Sequence, residues 1–290
     1  MTGEHLLQGR VWDVKNYDFI APETLVAKLK PARFILLGEI HTNFEHHLKQ
    51  AEIINNISDF ERHPAICFEM LEVTCQEKID EYLNRSPHDA EGFGNAIDWD
   101  SQWNPAYEMY KPIFETAFSK NLPVVAANIP RTLAKQAVIE GLKALSPEFI
   151  KQTGISQPFP PELQKELIDE IWESHFGQTK HSRGQLLGLL EGMALAQKLR
   201  DAIMAYTLLH NQRSEKQVLI TGNGHVRNDR GVPYHLVKFG AKAGLICSLG
   251  MIETEWMPEY PALPEYQEWL KVQKLPYTFA IFIPGHTQSL

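Results

Sequence analysis

Two glutamates and two histidines stand out for where they occur: Glu39 and His41 in "LLGEIH", Glu69 in "AICFEM", and His225 in "VLITGNGHVRND". Each follows a run of aliphatic or β-branched residues and so sits at the end of an apolar segment. Two carboxylates and two imidazoles support two kinds of chemistry. Glu39 or Glu69 could act as general base on water, with His41 and His225 positioning it or stabilising charge. The same four groups could instead hold a divalent metal with an open coordination position. No GxSxG elbow is present, so a covalent acyl-enzyme is not expected.

Strands are needed to bring these groups together. The runs 33–38, 65–70, 123–128 and 217–222 are continuously apolar, as are 243–250 and 277–283. Continuous apolarity, without alternation, predicts strands covered on both faces, as in a parallel sheet. In such sheets ligands bind beyond the carboxyl ends of the strands. The first four runs end in Glu39–His41, Glu69, Asn128 and Gly222–His225, so all four deliver polar groups to one edge. Glu39 and His41, two apart, face the same way in extended chain. The blander alternatives are a helix N-terminus capped by Thr42 or Asn43, a salt bridge from Glu69 to Arg33 or Arg131, and a solvated turn at His225.

Helical spacing fills the intervals. Phe44, Leu48, Ala51, Ile54 and Ile57 form one apolar stripe, which leaves His46 and His47 on the solvent side. Tyr107, Tyr110, Phe114 and Ala117 form a second. A long helix from about Gln185 to His210 buries Leu186, Leu190, Met193, Ala196, Leu199, Ile203 and Tyr206, and an ordinary helix salt bridge is expected for Arg200 and Asp201. The expected fold is α/β, a mainly parallel central sheet flanked by helices. One domain spans 1–290, and proline-rich 146–184 is a helical cap insertion within it.

The cap contributes further candidates. His175 and His181 in "ESHFGQTKHS" could each ligate a cofactor, Arg227 could clamp an anion, and Tyr107 could reach a ligand. The net charge of -8, with no basic stripe to offset it, argues against nucleic acid as partner. The three cysteines form no CxxC, and those in apolar runs read as buried hydrophobes. The N-terminal "MTGEHLLQGR" has no apolar h-region and no run is long enough to span a bilayer. The expected location is therefore the cytoplasm, or the bacterial envelope or periplasm if a leader has been removed.

Taken in order, "GRVWDV", "LLGEIHTNFEHH", "FEM", "YKPIFETAFSKNLPVVAANIPR", "HFG", "AQKLRDAIMA", "GNGHVRNDRGVP" and "YTFAIFIP" resemble the ChaN-like haem-binding uptake proteins of the Tiki superfamily, over residues 9–284. The resemblance implies haem as cofactor, a role in bacterial haem or iron uptake, and a homodimer that could close around the ligand. The wider superfamily includes erythromycin esterases and Tiki-type metalloproteases, which use glutamates and histidines at positions matching Glu39, His41, Glu69 and His225. A Glu/His-dependent hydrolase, with or without metal, is the alternative it implies. Family members ligate haem through tyrosine, yet residues 146–184 contain none. The axial ligand is then His175, His181 or a tyrosine from elsewhere. Envelope lipoproteins of the family carry a signal peptide and lipobox cysteine, neither of which this sequence shows.

Overall fold

The computed structural model describes residues 5–59, 63–177 and 179–285. A short hairpin, β1 (Val11–Asp13) and β2 (Asp18–Ile20), leads into α1 (Pro22–Leu29), β3 (Phe34–Glu39), α2 (Phe44–Ile57) and β4 (Ala65–Glu72). Four helices follow: α3 (Gln76–Arg85), α4 (Ala90–Ala96), α5 (Trp99–Gln102) and α6 (Tyr107–Ser119), then β5 (Val124–Asn128). Beyond it lie α7 (Arg131–Glu140), α8 (Pro147–Thr153), α9 (Pro161–Phe176) and the long α10 (Leu187–His210). The chain closes with β6 (Gln217–Gly222), α11 (Val232–Lys238), β7 (Ile246–Glu253), α12 (Leu263–Val272) and β8 (Phe279–Ile283).

Among the described residues the sheet order is β2-β1-β8-β7-β3-β6-β4-β5. Neighbours from β8 through β5 are parallel, while β1 pairs antiparallel with both β2 and β8. The expected mainly parallel α/β fold is present. The hairpin was not expected, because three-residue strands are too short to show a period.

Successive residues of the central strands enter different cores, as the pleat requires. Ile35, Leu37, Ile66, Phe68, Val218 and Ile220 join the core packed by α2 and α6. Phe34, Leu36, Ala65, Cys67 and Leu219 join the one packed by α10 and α11. Both faces are therefore dry, which is why the strands read as unbroken apolar runs.

Two helices are rotated from their expected phase. In α2, Phe44 and Leu48 are exposed, at 37% and 38%, while His46, His47 and Gln50 are fully buried with Ala51, Ile53, Ile54 and Ile57. In α10, Leu190, Ala196 and Leu199 are buried as expected, but Tyr206 is exposed and the buried face also takes in Lys198, Asp201, Met204 and Leu208. Charges at the sheet edge meet two of these inward polar residues, Glu39 meeting His47 and His225 meeting Asp201, while Lys198 donates to Gln157 O. Within 146–184, α9 lays Leu167 and Ile171 on Leu190 and Ala194 of α10. Among the described residues no helix is long and apolar enough to cross a membrane.

Candidate functional site

Glu39, the last residue of β3, is 2% exposed. Its Oε1 accepts the Tyr110 hydroxyl proton at 2.6 Å and lies 2.8 Å from His41 Nδ1, while Oε2 lies 3.4 Å from His47 Nε2. Tyr110 comes from α6 and His47 from α2, so two helices and a strand end enclose one carboxylate. On the far side of β6, Glu69 of β4 accepts from the Thr221 hydroxyl at 2.5 Å and from the Gly222 backbone N–H at 2.9 Å. Its other oxygen is 3.1 Å from His225 Nε2. His225 Nδ1 in turn contacts Asp201 of α10 at 2.6 Å.

The two halves meet at Gly222. A Cβ there would stand 3.0 Å from His41 Nε2 and 3.9 Å from Glu69 Oε2, so the missing side chain is what admits the His41 ring. The glycine bend then lets His225 turn back. Its N–H donates to Gly222 O, and its own carbonyl accepts from Val232 at the start of α11. Glu39, His41, Glu69 and His225 thus share the carboxyl edge of β3, β4 and β6. Asn128, at the end of β5, donates to the Glu69 carbonyl at 2.8 Å.

Burial would push the Glu39 carboxyl upward, yet His47 and His41 hold it down to about 2. Burial opposes ionisation of Glu69 too, but His225, His41 and the Thr221 hydroxyl keep it well below the ordinary carboxylate value. The His225 imidazole is disfavoured by burial and raised to about 10 by Glu69 and Asp201. Asp201 is lifted to about 6 by burial, against the pull of His225. Burial also lowers His41, and its bond to Glu39 and the charge of Glu69 more than reverse that. At neutral pH Glu39 and Glu69 are therefore ionised, and a charged His225 lies between Glu69 and Asp201. A carboxylate held near 2 is a weak base, far from the pH-matched value that general base catalysis favours. His41, whose side chain is 34% exposed, is the member open to solvent, and it is placed to donate a proton or hydrogen bond.

Three members were not anticipated at the sequence level. His46 and His47, assigned to solvent, are buried; His46 accepts the Ile40 N–H at Nδ1, 2.9 Å away, and burial lowers it to about 4. Asp201, expected in a helix salt bridge, is the His225 partner instead. Glu69 pairs with neither Arg33 nor Arg131. The available signal was electrostatic: a carboxylate at the end of a buried strand requires a donor, and the adjacent "HH" could have supplied one.

The remaining candidates lie elsewhere. Tyr107 is only 7% exposed and its hydroxyl donates to Ala90 O at 2.7 Å, so it faces the core and not a ligand. Arg227 is gripped by Asp229 through two bonds, 3.0 and 2.7 Å, with Glu170 at 3.3 Å, leaving no free fork for an anion. His175 and His181 are exposed, remote from the cluster in the chain. His175 abuts Phe176, whose ring stacks on Trp172 at 6.0 Å. Among the described residues no group of three or more His, Cys, Asp or Glu is disposed to hold a metal ion. Glu39 Oε1, both Glu69 oxygens, His41 Nδ1 and both His225 nitrogens already face protein partners, and the divalent-metal expectation is not carried further.

The cofactor that can be tested against these side chains is haem. A groove of about 500 Å³ between α7, α9 and α10 is large enough for a sizeable ligand, but its lining includes no His, Tyr, Cys or Met to ligate iron. At the end of α9 the residue types suit haem: His175 carries a nitrogen donor, and Trp172 and Phe176, three and one positions away, carry apolar rings that are partly buried against Leu167, Ile171 and Leu190.

Residues 25–236 match the family described as haem-binding uptake, Tiki superfamily, ChaN. Among solved structures, ChaN of Campylobacter jejuni, described with cofacial haem binding, superposes with a TM-score of 0.69 at 23% identity, covering 93% of this chain and 95% of that one. The type III effector HopBA1 gives 0.46 at 10% identity over 91% and 93%. A mutant of the erythromycin esterase EreC in its open conformation gives 0.44 at 15% over 80% and 72%. No curated protein matches significantly.

Proposed function

Because the chain belongs to the haem-binding uptake family ChaN of the Tiki superfamily, we propose that it binds haem and serves haem or iron uptake. The observation that carries this reading is the family match across residues 25–236. The end of α9 supports it. His175, with His181 as the second candidate, would hold the iron, and Trp172 and Phe176 would cover part of one porphyrin face. Bound haem would supply an iron centre, and the protein would supply a nitrogen donor and apolar surface. A site this open leaves one haem face uncovered, and a second copy of the chain could close it.

Haemin titration followed at the Soret band tests the proposal. A saturable shift is expected for the wild type, weakened or spectrally altered in His175→Ala or in His181→Ala. Unsaturable absorbance changes in the wild type would overturn haem binding. Saturable binding unchanged in the double variant would overturn the ligand assignment.

A further inference from the structure

Beside the acid–imidazole cluster, at the carboxyl ends of β4 and β5, lies a cleft of about 140 Å³ lined by Glu69, Glu72, Trp103, Asn128, Arg131 and Arg200 among others. The Arg200 guanidinium lies half-buried on α10 and makes no hydrogen bond or ion pair among the described residues. That is unusual for a group with five donors in a fixed fork. Arg131 is fixed at the rim, where Nη1 donates to the carbonyls of Ser101 and Gln102, at 3.3 and 3.0 Å. Glu72 Oε1 accepts the Arg131 backbone N–H.

Charge decides what the cleft can take. The lining holds two arginines and two glutamates. Glu69, however, is already matched by His225 at 3.1 Å and by the donors of Thr221 and Gly222. With both Glu69 oxygens engaged, the groups left to meet a ligand are two guanidiniums and the Glu72 carboxylate, a set that suits a monoanion better than a phosphate dianion. Size narrows the ligand further. Sites for drug-sized ligands run to roughly 300–1,000 Å³, so this cleft admits a small acid or one acidic arm of a larger molecule. Trp103 and Met70 supply an apolar wall beside the arginines.

We infer that this cleft is a monocarboxylate-binding site in which Arg200 forms the bidentate contact and Arg131 supports it from the rim. The carboxylate could belong to a small free acid or be a propionate arm of a porphyrin, and only the second source rests on the haem reading.

Benzoate is a suitable probe, followed by calorimetry or ligand-observed NMR on the full chain. The wild type should bind it saturably, Arg200→Gln should bind it about tenfold more weakly or worse, and Arg200→Lys should recover part of the loss. Inorganic phosphate should compete poorly. Should Arg200→Gln fail to fold, Arg131→Gln carries the same comparison with a weaker expected effect. No saturable binding by the wild type, equal binding by the arginine variants, or phosphate binding as tightly as benzoate would each overturn the inference. Haemin titration with and without saturating benzoate separates the sources. Competition that is absent for the haemin dimethyl ester identifies a propionate, whereas no competition identifies a free acid. A protein that binds benzoate but not haemin would refute the haem reading alone.

Discussion

Replacing His225 by glutamine removes the one cation lying between two buried carboxylates. Glu69 and Asp201 are 3% and 2% exposed and contact the imidazole at 3.1 and 2.6 Å. Hydrogen bonds to charged groups contribute about 1.5–3 kcal/mol each, and two of them give roughly 3–6 kcal/mol. Breaking a buried ion pair from one side costs about 3–5 kcal/mol because the remaining charge is stranded. The two routes agree, so His225→Gln should lose about 3–5 kcal/mol at pH 7. If the stranded acids are the cause, neutralising them should relieve it. The triple variant His225→Gln, Glu69→Gln, Asp201→Asn should then be more stable than the single one, a strongly non-additive outcome. Urea unfolding at constant m-value measures both. A single-variant loss under about 1 kcal/mol, or a triple variant less stable than the single, would refute the account of a charge-balanced cluster.

The combined contribution of Glu39, Glu69 and His225 to stability should be complete between about pH 4.5 and 6.5. Folded-state pKa values of Glu39 and Glu69 lie below the ordinary 4.5, so their stabilisation is complete above that value and is lost as pH falls through about 2 for Glu39. His225 is raised from 6.5 to about 10, so its contribution is complete below 6.5 and is lost as pH climbs through about 10. Thermal midpoints at pH 3, 5.5 and 9.5 check this; a maximum at 9.5 would contradict the His225 assignment. Within α2, Ile54→Ala should cost about 2–5 kcal/mol, whereas Leu48→Ala, at a position 38% exposed, should stay within about 1 kcal/mol. Equal losses at the two positions would mean that the helix is rotated back to the phase its apolar stripe suggests.

The chain's local pattern was enough to locate the six parallel strands, their arrangement and the edge where Glu39, His41, Glu69 and His225 gather. Apolar runs record burial on both faces, and the first polar residue after each run marks where the strand leaves the core. It also identified the face of α6, because Tyr107, Tyr110, Phe114 and Ala117 pack against an apolar partner. The rotation of α2 and α10 was set by three-dimensional contact alone. His46, His47 and Asp201 are polar, and a periodicity argument sends polar groups to water. They are buried because Glu39 and His225 wait across the interface, and those partners lie in other elements of the fold. Arg227 shows the same limit in reverse: its charge suggested an anion clamp, but Asp229 two positions on grips it, and the further acids Glu166 and Glu170 become visible only when α9 is laid beside the 223–231 loop. Hydrophobic period is a property of a segment, while pairing of charges is a property of the assembled chain.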